Sequence, residues 1–423
     1  MPLLGTRGVA SSRAFGLLSV GGNWLASANA GDSQTGIAVD ATGNSYITGY
    51  SGGPSVTYTT KYDAVGNIVW QRSLTNTAPY GVRGTDIALD TSSNVYVVGW
   101  SNSAGVDGIN IIKYNNSGVL QWQKRLTTSY SVAASALAID AADNILIVGD
   151  GAPSVSYIVI AKLDSTGTLL WDRAVYDSSY NYYGTGVSTD SSNNVYCSGS
   201  QIGATGAPLI KLNSSGVLQW QRELLNNFTG FYANAVDSAN NVYFLAKLTS
   251  PDTLLLLKYN SSGALQWQRA LTGATTQFAR SMSIDTNNDI YIVGGLSGGT
   301  TGAVIAKYTS TGSLTWQRLL SDSSIGLNSI AANNNQAIWV SGALQISAVA
   351  NRFAAKLPVS GAKTGGYLLG GTSVSYSVPS LTDAAGTMTD GVASLSDSAI
   401  SFAVSNTTYV DAATTLTLNV TQI

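Results

Sequence analysis

The sequence predicts an all-β fold, a seven-bladed β-propeller closed by an N-terminal strand, followed by a small C-terminal β domain. Three observations predict it: one motif returns seven times at about 49-residue intervals, each segment of the motif reads as a short strand, and no repeat offers a long helical period. Six copies carry Trp followed by Gln-Arg or a close variant, at Trp70, Trp122, Trp171, Trp220, Trp267 and Trp316. An apolar strand ending in Asp follows, at Asp40, Asp90, Asp140, Asp190, Asp237 and Asp285, with Asn333 in the seventh place. A third element ends in Lys, at Lys61, Lys113, Lys162, Lys211, Lys258, Lys307 and Lys356.

Each repeat divides into four strands. In the first copy these are Gly36-Ile37-Ala38-Val39-Asp40, Ser45-Tyr46-Ile47-Thr48-Gly49, Tyr58-Thr59-Thr60-Lys61-Tyr62 and Asn67-Ile68-Val69-Trp70-Gln71-Arg72. They are rich in β-branched and aromatic residues and are separated by turn formers. Four short strands in 45 to 50 residues make a propeller blade, and seven blades close a ring. The fourth strand alternates strictly, so Ile68, Trp70, Arg72 and Leu74 share one face. That face is expected to pack on the neighbouring blade, with the Arg stem along the Trp and its charge in water.

The last repeat lacks a Trp-Gln-Arg strand, and Asn23-Trp24-Leu25-Ala26-Ser27 stands at the other end of the chain. Trp24 is therefore expected to complete the seventh blade as its outer strand. The resulting divisions are an N-terminal arm at 1–22, the propeller at 23–363 and a β-rich module at 364–423.

Composition narrows the chemistry. Charged residues are only 10% of the chain, and thirteen of the 21 Lys and Arg belong to the repeat. With a net charge of −2, no basic patch is left for nucleic acid. Histidine is absent, which removes imidazole bases, the common Ser-His and Cys-His pairs and most zinc sites. Cys197 stands where other repeats have apolar or small residues and reads as a buried hydrophobe. Glu223 is the only glutamate, so no catalytic residue is assigned, no enzyme is expected and no cofactor is implied.

The repeat aspartates, as in Asp40-x-x-Gly43-Asn44, faintly resemble calcium loops but supply too few oxygen ligands. They read instead as Asx turns that fix hairpins, with the repeat lysines as partners and no metal site.

Residues 1–22 contain Arg7 and Arg13 within their apolar run and read as neither a secretory signal nor a membrane span. After Lys363, alternating runs such as Val374-Ser375-Tyr376-Ser377-Val378 and Leu416-Thr417-Leu418-Asn419-Val420 read as strands. Some 60 residues of hairpins make a marginal free-standing unit, expected to gain stability by docking, by oligomerisation or by capping the propeller.

Within a blade, the connections from fourth to first strand and from second to third emerge on one face. There the sequence varies while the strands repeat, which is where function usually resides. Candidate ligand-binding residues on this face are Tyr80, Tyr130, Tyr176, Tyr180, Tyr182, Tyr183, Phe231 and Tyr232. Tyr80, Tyr130 and Tyr180 each lie ten residues before their repeat Asp. Aromatic rings among neutral polar residues suit sugar faces or a protein epitope; packing between adjacent loops is the other reading.

Through Gly36-Ile37-Ala38-Val39-Asp40-x-x-Gly43-Asn44-x-Tyr46-Ile47-x-Gly49, residues 23 to 363 resemble the NHL and SBBP-type propeller repeats. That resemblance implies the fold and says little of function. Val9 to Gly16 resembles the leader of bacteriophage tail and virion proteins, and implies an arm docking into a particle through Arg13 and Phe15. The expectation is a phage virion structural protein, tail-associated, that recognises a host glycan or surface protein. Its expected partners are other virion proteins and further copies of itself as a homo-oligomer. A capsid decoration or head-fibre protein and a bacterial surface or secreted lectin are the alternatives.

Overall fold

In the computed structural model the chain forms seven antiparallel sheets arranged as a β-propeller, with no helix among the described residues. The structure describes backbone from Trp24 to Gln422 apart from short connections between strands, and side chains within 35–361. The N-terminal strand β1 spans Trp24–Ala28. The first blade then consists of β2 (Asp32–Val39), β3 (Ser45–Ser51), β4 (Thr57–Tyr62) and β5 (Ile68–Thr75), and five further blades repeat this order. The seventh contains Ile325–Asn333, Ala337–Ile346 and Val349–Pro358, and β1 supplies its fourth strand.

The closure has the same register as the other blades. Trp24 stands opposite Lys356, as Trp70 stands opposite Lys61 and Trp316 opposite Lys307. The expected strand exchange is therefore present down to the individual residue pair.

Both tight turns of a blade follow one recipe. Asp40 Oδ1 accepts the N–H groups of Thr42 and Asn44 at 2.9 and 3.0 Å, and Asp90, Asp140, Asp190, Asp237 and Asp285 repeat the pattern. These are Asx turns, as read from the spacing. The residue three after the Asp is left-handed, with φ of 85° at Gly43 and 58–64° at Ser93, Asp143, Asn193, Asn240 and Asn288. The turn between third and fourth strands tolerates only glycine at the matching place. A Cβ on Gly118 (φ 77°) would lie 2.6 Å from the Trp70 ring of the preceding blade. The first turn has no such neighbour, since a Cβ on Gly43 meets nothing nearer than 3.5 Å.

The Trp ring and the lysine together lock adjacent blades. Asn116 O in the second blade accepts both Trp70 Nε1, at 2.9 Å, and Lys61 Nζ, at 3.2 Å, from the first. Ser165, Ser214, Ser261 and Ser310 repeat this double acceptance around the ring. Lys356 closes it on Ala64 O at 2.9 Å. The arginines depart from expectation: Arg72, Arg173 and Arg222 do not simply reach water but donate Nε to the turn-glycine carbonyl of the next blade at 2.6–3.0 Å.

Inside the second, fourth and fifth blades the lysine also meets the repeat aspartate and lies over the tyrosine ring. Tyr196 donates its hydroxyl to Asp190 Oδ2 at 3.0 Å, and Lys211 lies 3.9 Å from that carboxylate and 4.9 Å above the tyrosine ring. Where the third blade has Leu146 in place of Tyr, Lys162 closes to 2.8 Å from Asp140. These groups are spent on the frame. Asp190→Ala removes a turn acceptor and a buried lysine's counter-charge, so a loss of about 2 kcal/mol in urea unfolding is expected. Cys197 is fully buried, and burial pushes its thiol pKa up.

The C-terminal segment is β, but its strands build no sheet apart from the blades. A hairpin of Gly365–Leu369 and Thr372–Ser377 pairs with the sixth blade. Thr382–Ala385, Thr389–Gly391, Ser396–Ser398, Ala403–Asn406 and Val410–Ala413 then pair with blades five, four, three, two and one. Leu418–Gln422 finishes on β1 in the seventh. The segment thus makes one full lap around the outside, opposite in sense to the chain that built the ring. Strands of 3 to 5 residues form little sheet among themselves, while every outer blade strand offers an unpaired edge.

Candidate binding face and central channel

One face of the propeller is built from tight turns whose side chains are consumed by the scaffold. The opposite face carries the variable connections, and there the strands themselves cease to repeat. The second strand of each blade passes a close-approach position and then a variable residue. A Cβ on Gly99 would lie 1.8 Å from the Arg83 carbonyl oxygen, which explains glycine at that approach. The residue after it is Tyr50, Trp100, Asp150, Ser200, Lys247, Gly295 or Ala343 in blades one to seven.

These positions lie one strand out from the channel wall and stand opposite first-strand residues such as Arg83, opposite Trp100, and Ala133, opposite Asp150. The Arg83 guanidinium lies between two rings, 5.0 Å from Tyr50 of the first blade and 4.9 Å from Trp100 of its own. Lys247 Nζ sits 4.6 Å above Phe278 of the sixth blade. Tyr183 is half-buried beside Ser156, and Tyr232 lines the channel. The arrangement offers stacking surfaces alternating with fixed charges, suited to a polar ligand with flat apolar faces.

The residues singled out from sequence divide into three groups. Tyr176 and Tyr180 are exposed at 38% and 40%, and Tyr183 and Tyr232 are half-buried toward this face. Tyr130 packs edge-on against Tyr157 at 5.6 Å, as the loop-packing reading expected. Tyr182 and Phe231 belong to the core: Tyr182 accepts a hydrogen bond from Gln201, and Phe231 stacks on Phe244 with 5.5 Å between centroids. Period two decides this, because Tyr182 and Tyr183 point to opposite faces of one strand. Tyr80, Arg13 and Phe15 lie outside the described residues. Tyr50, Arg83, Trp100 and Asp150 were not singled out; departure from the repeat consensus at one register position was the available signal.

The channel itself is lined by the innermost strands of all seven blades and encloses about 240 Å³. Every one of these strands bulges at the same place, so that the ladder register skips Thr35, Thr85, Ser135, Thr185, Tyr232, Arg280 and Asn328. Thr35 and Thr85 donate their hydroxyls to the next blade, at Gly84 O and Ala134 O. Asp86 follows the second bulge. Burial raises its carboxyl pKa to about 6, although Leu137 and Ile87 donate backbone N–H groups to it. Burial likewise pushes Asp150 up to about 6.

These shifts have a sign. For Asp86 and Asp150 the folded pKa lies above the ordinary 3.8, so ionisation opposes folding; that cost is complete above about pH 6 and absent below 3.8. Asp40 and Asp140 behave oppositely. Burial works against their charge, but hydrogen bonds (and Lys162 beside Asp140) outweigh it and lower the pKa, so their stabilisation is lost as pH falls below 3.8. Stability is expected to peak between about pH 4 and 6. A thermal-melting series should show a higher midpoint at pH 5 than at pH 8, with part of the difference removed by Asp150→Asn.

Among the described residues no cluster of His, Cys, Asp or Glu could hold a metal ion, and no helix is long and apolar enough to cross a membrane.

Residues 74–105 match the SBBP β-propeller repeat family. The match runs from the end of β5 through the first two strands of the second blade, and agrees with the repeat and the ring described above. No curated protein matches the sequence. Among solved structures, polysaccharide lyase Uly1 is similar over 77% of this chain and 89% of its own, at 8% identity and TM-score 0.48. A gluconolactonase from Xanthomonas campestris aligns over 82% and 95% at 10% identity and TM-score 0.38. The calcium-binding protein regucalcin from Agrobacterium tumefaciens aligns over 65% and 90% at 12% identity and TM-score 0.37. At these levels the likenesses do not bear on function.

Proposed function

We propose that the chain is a structural protein of a bacteriophage virion, tail-associated, whose propeller recognises a host-surface glycan or protein. The observation that carries the recognition reading lies on the second strands: at one register position, an otherwise repeated strand presents Tyr50, Trp100, Asp150 and Lys247. A purely structural repeat has no reason to vary there while keeping its Asp, Lys and Trp. The lack of histidine and the single glutamate support a binding role over a catalytic one. The leader-like Val9 to Gly16 supports placement in a particle, where further virion proteins and copies of the chain are its partners.

Two measurements test the reading. Mass spectrometry of purified phage particles should find the protein at a fixed copy number, and its absence would remove the virion assignment. Binding to host cells or a glycan array should fall at least about tenfold in Trp100→Ala and Tyr183→Ala, from lost stacking, with melting shifted by only a few degrees. Unchanged binding would remove the binding-face site.

A further inference from the structure

The central channel contains a cation and a carboxylate that do not meet. Of the seven bulge residues six are neutral, and the sixth blade alone supplies a charge, Arg280. At the next position the blades carry Gly36, Asp86, Ala136, Gly186, Ala233, Ser281 and Ser329, so the second blade alone supplies a carboxylate. In a ring of seven, the second and sixth blades stand three places apart, on opposite sides of the bore.

Both charges face the same cavity, and among the described residues neither has an ion-pair partner. Asp86 is held at the wall by the N–H groups of Ile87 and Leu137, at 2.9 and 2.8 Å. Those two bonds leave carboxylate lone pairs for another donor. Arg280 is exposed, beside the Phe278 ring at 6.0 Å. Between them the wall is hydroxyl and amide, from Thr35, Thr185, Tyr232 and Asn328.

We propose that this channel binds a small zwitterion, an amino acid or short peptide with free ends, with its carboxylate on Arg280 and its ammonium on Asp86. A ligand of one sign would pair with one wall charge and bring a like charge into the bore that holds the other, whereas a zwitterion matches both. The volume of about 240 Å³ lies below that of drug-sized pockets, consistent with a small ligand. The site adjoins the binding face through Phe278, which meets both Lys247 and Arg280, but its test reads Asp86 and Arg280 and does not depend on the recognition reading.

Isothermal titration calorimetry of the full chain tests this with ω-amino acids of increasing length, together with di- and triglycine. The controls are the same compounds N-acetylated or C-amidated. At least one chain length is expected to bind about tenfold more tightly than either of its capped forms, the difference one charge-assisted hydrogen bond makes. Arg280→Gln and Asp86→Asn should each remove that advantage, and Arg280, having no structural bond, should do so with unchanged melting. The proposal is overturned if no zwitterion binds, if capped and free forms bind equally, or if Arg280→Gln binds as tightly as the parent.

Discussion

A chain that begins at residue 29 is expected to melt far below the full chain and to aggregate on heating. Its loss removes β1, which lies between Val349–Pro358 and Leu418–Gln422 and pairs with five residues on each side. At about 1 kcal/mol net per backbone hydrogen bond, roughly ten lost bonds, five on each side, cost about 10 kcal/mol, comparable to the whole stability of many domains. Two consequences add to this. The seventh blade is left with an open edge beside the first, and the C-terminal strand on β1 loses its only blade. Differential scanning calorimetry checks the expectation. A midpoint within a few degrees of the full chain would show that the ring does not depend on this closure.

Trp70→Ala is expected to cost about 3–5 kcal/mol, the range for removing a buried aromatic. Trp70 is 8% exposed and lies between Tyr46 and Tyr114 at 6.2 and 6.0 Å between centroids. Its removal also leaves the Asn116 carbonyl with one donor fewer at the blade junction. The reciprocal change tests the same junction from the other side. Gly118→Ala needs a left-handed alanine whose Cβ would lie 2.6 Å from the Trp70 ring. The backbone conformation alone costs about 1–2 kcal/mol. In the pair, Trp70→Ala should relieve the clash, so the combined loss should be less than the sum of the single losses in urea unfolding. Strict additivity would mean the two residues are not in the contact described.

Much of the frame was legible because its parts recur. The Trp, Asp and Lys positions marked strands in equivalent places, and the missing fourth strand of the last repeat pointed to Trp24. The register then followed, with Trp24 opposite Lys356. The Asx turns were legible for a similar reason: Asp at a fixed distance before Asn is a local hydrogen-bonding pattern that needs no knowledge of the neighbouring blade.

The binding face was legible only in outline. Aromatic residues marked the variable connections, but Tyr182 and Phe231 turned inward while Tyr183 and Tyr232 did not. One residue of register decides which way a ring points, and a bulge in each inner strand shifts that register. Arg83 looked like an isolated charge, although its guanidinium lies between rings of two different blades. The path of residues 365–422 was equally hidden. Alternation identified strands, but which edge each would join depends on where seven blades leave edges open.

By itself, then, the sequence determined the number of blades, the strands within them, the turns that join those strands and the exchange that closes the ring. All of these rest on local hydrogen bonding and period-two burial repeated seven times. The tertiary structure alone decided that the arginines bind the next blade's turns, that the C-terminal strands wrap the ring in reverse, and that Asp86 and Arg280 share one bore. Those arrangements join residues from different blades, and their energies depend on distances that exist only once the ring has closed.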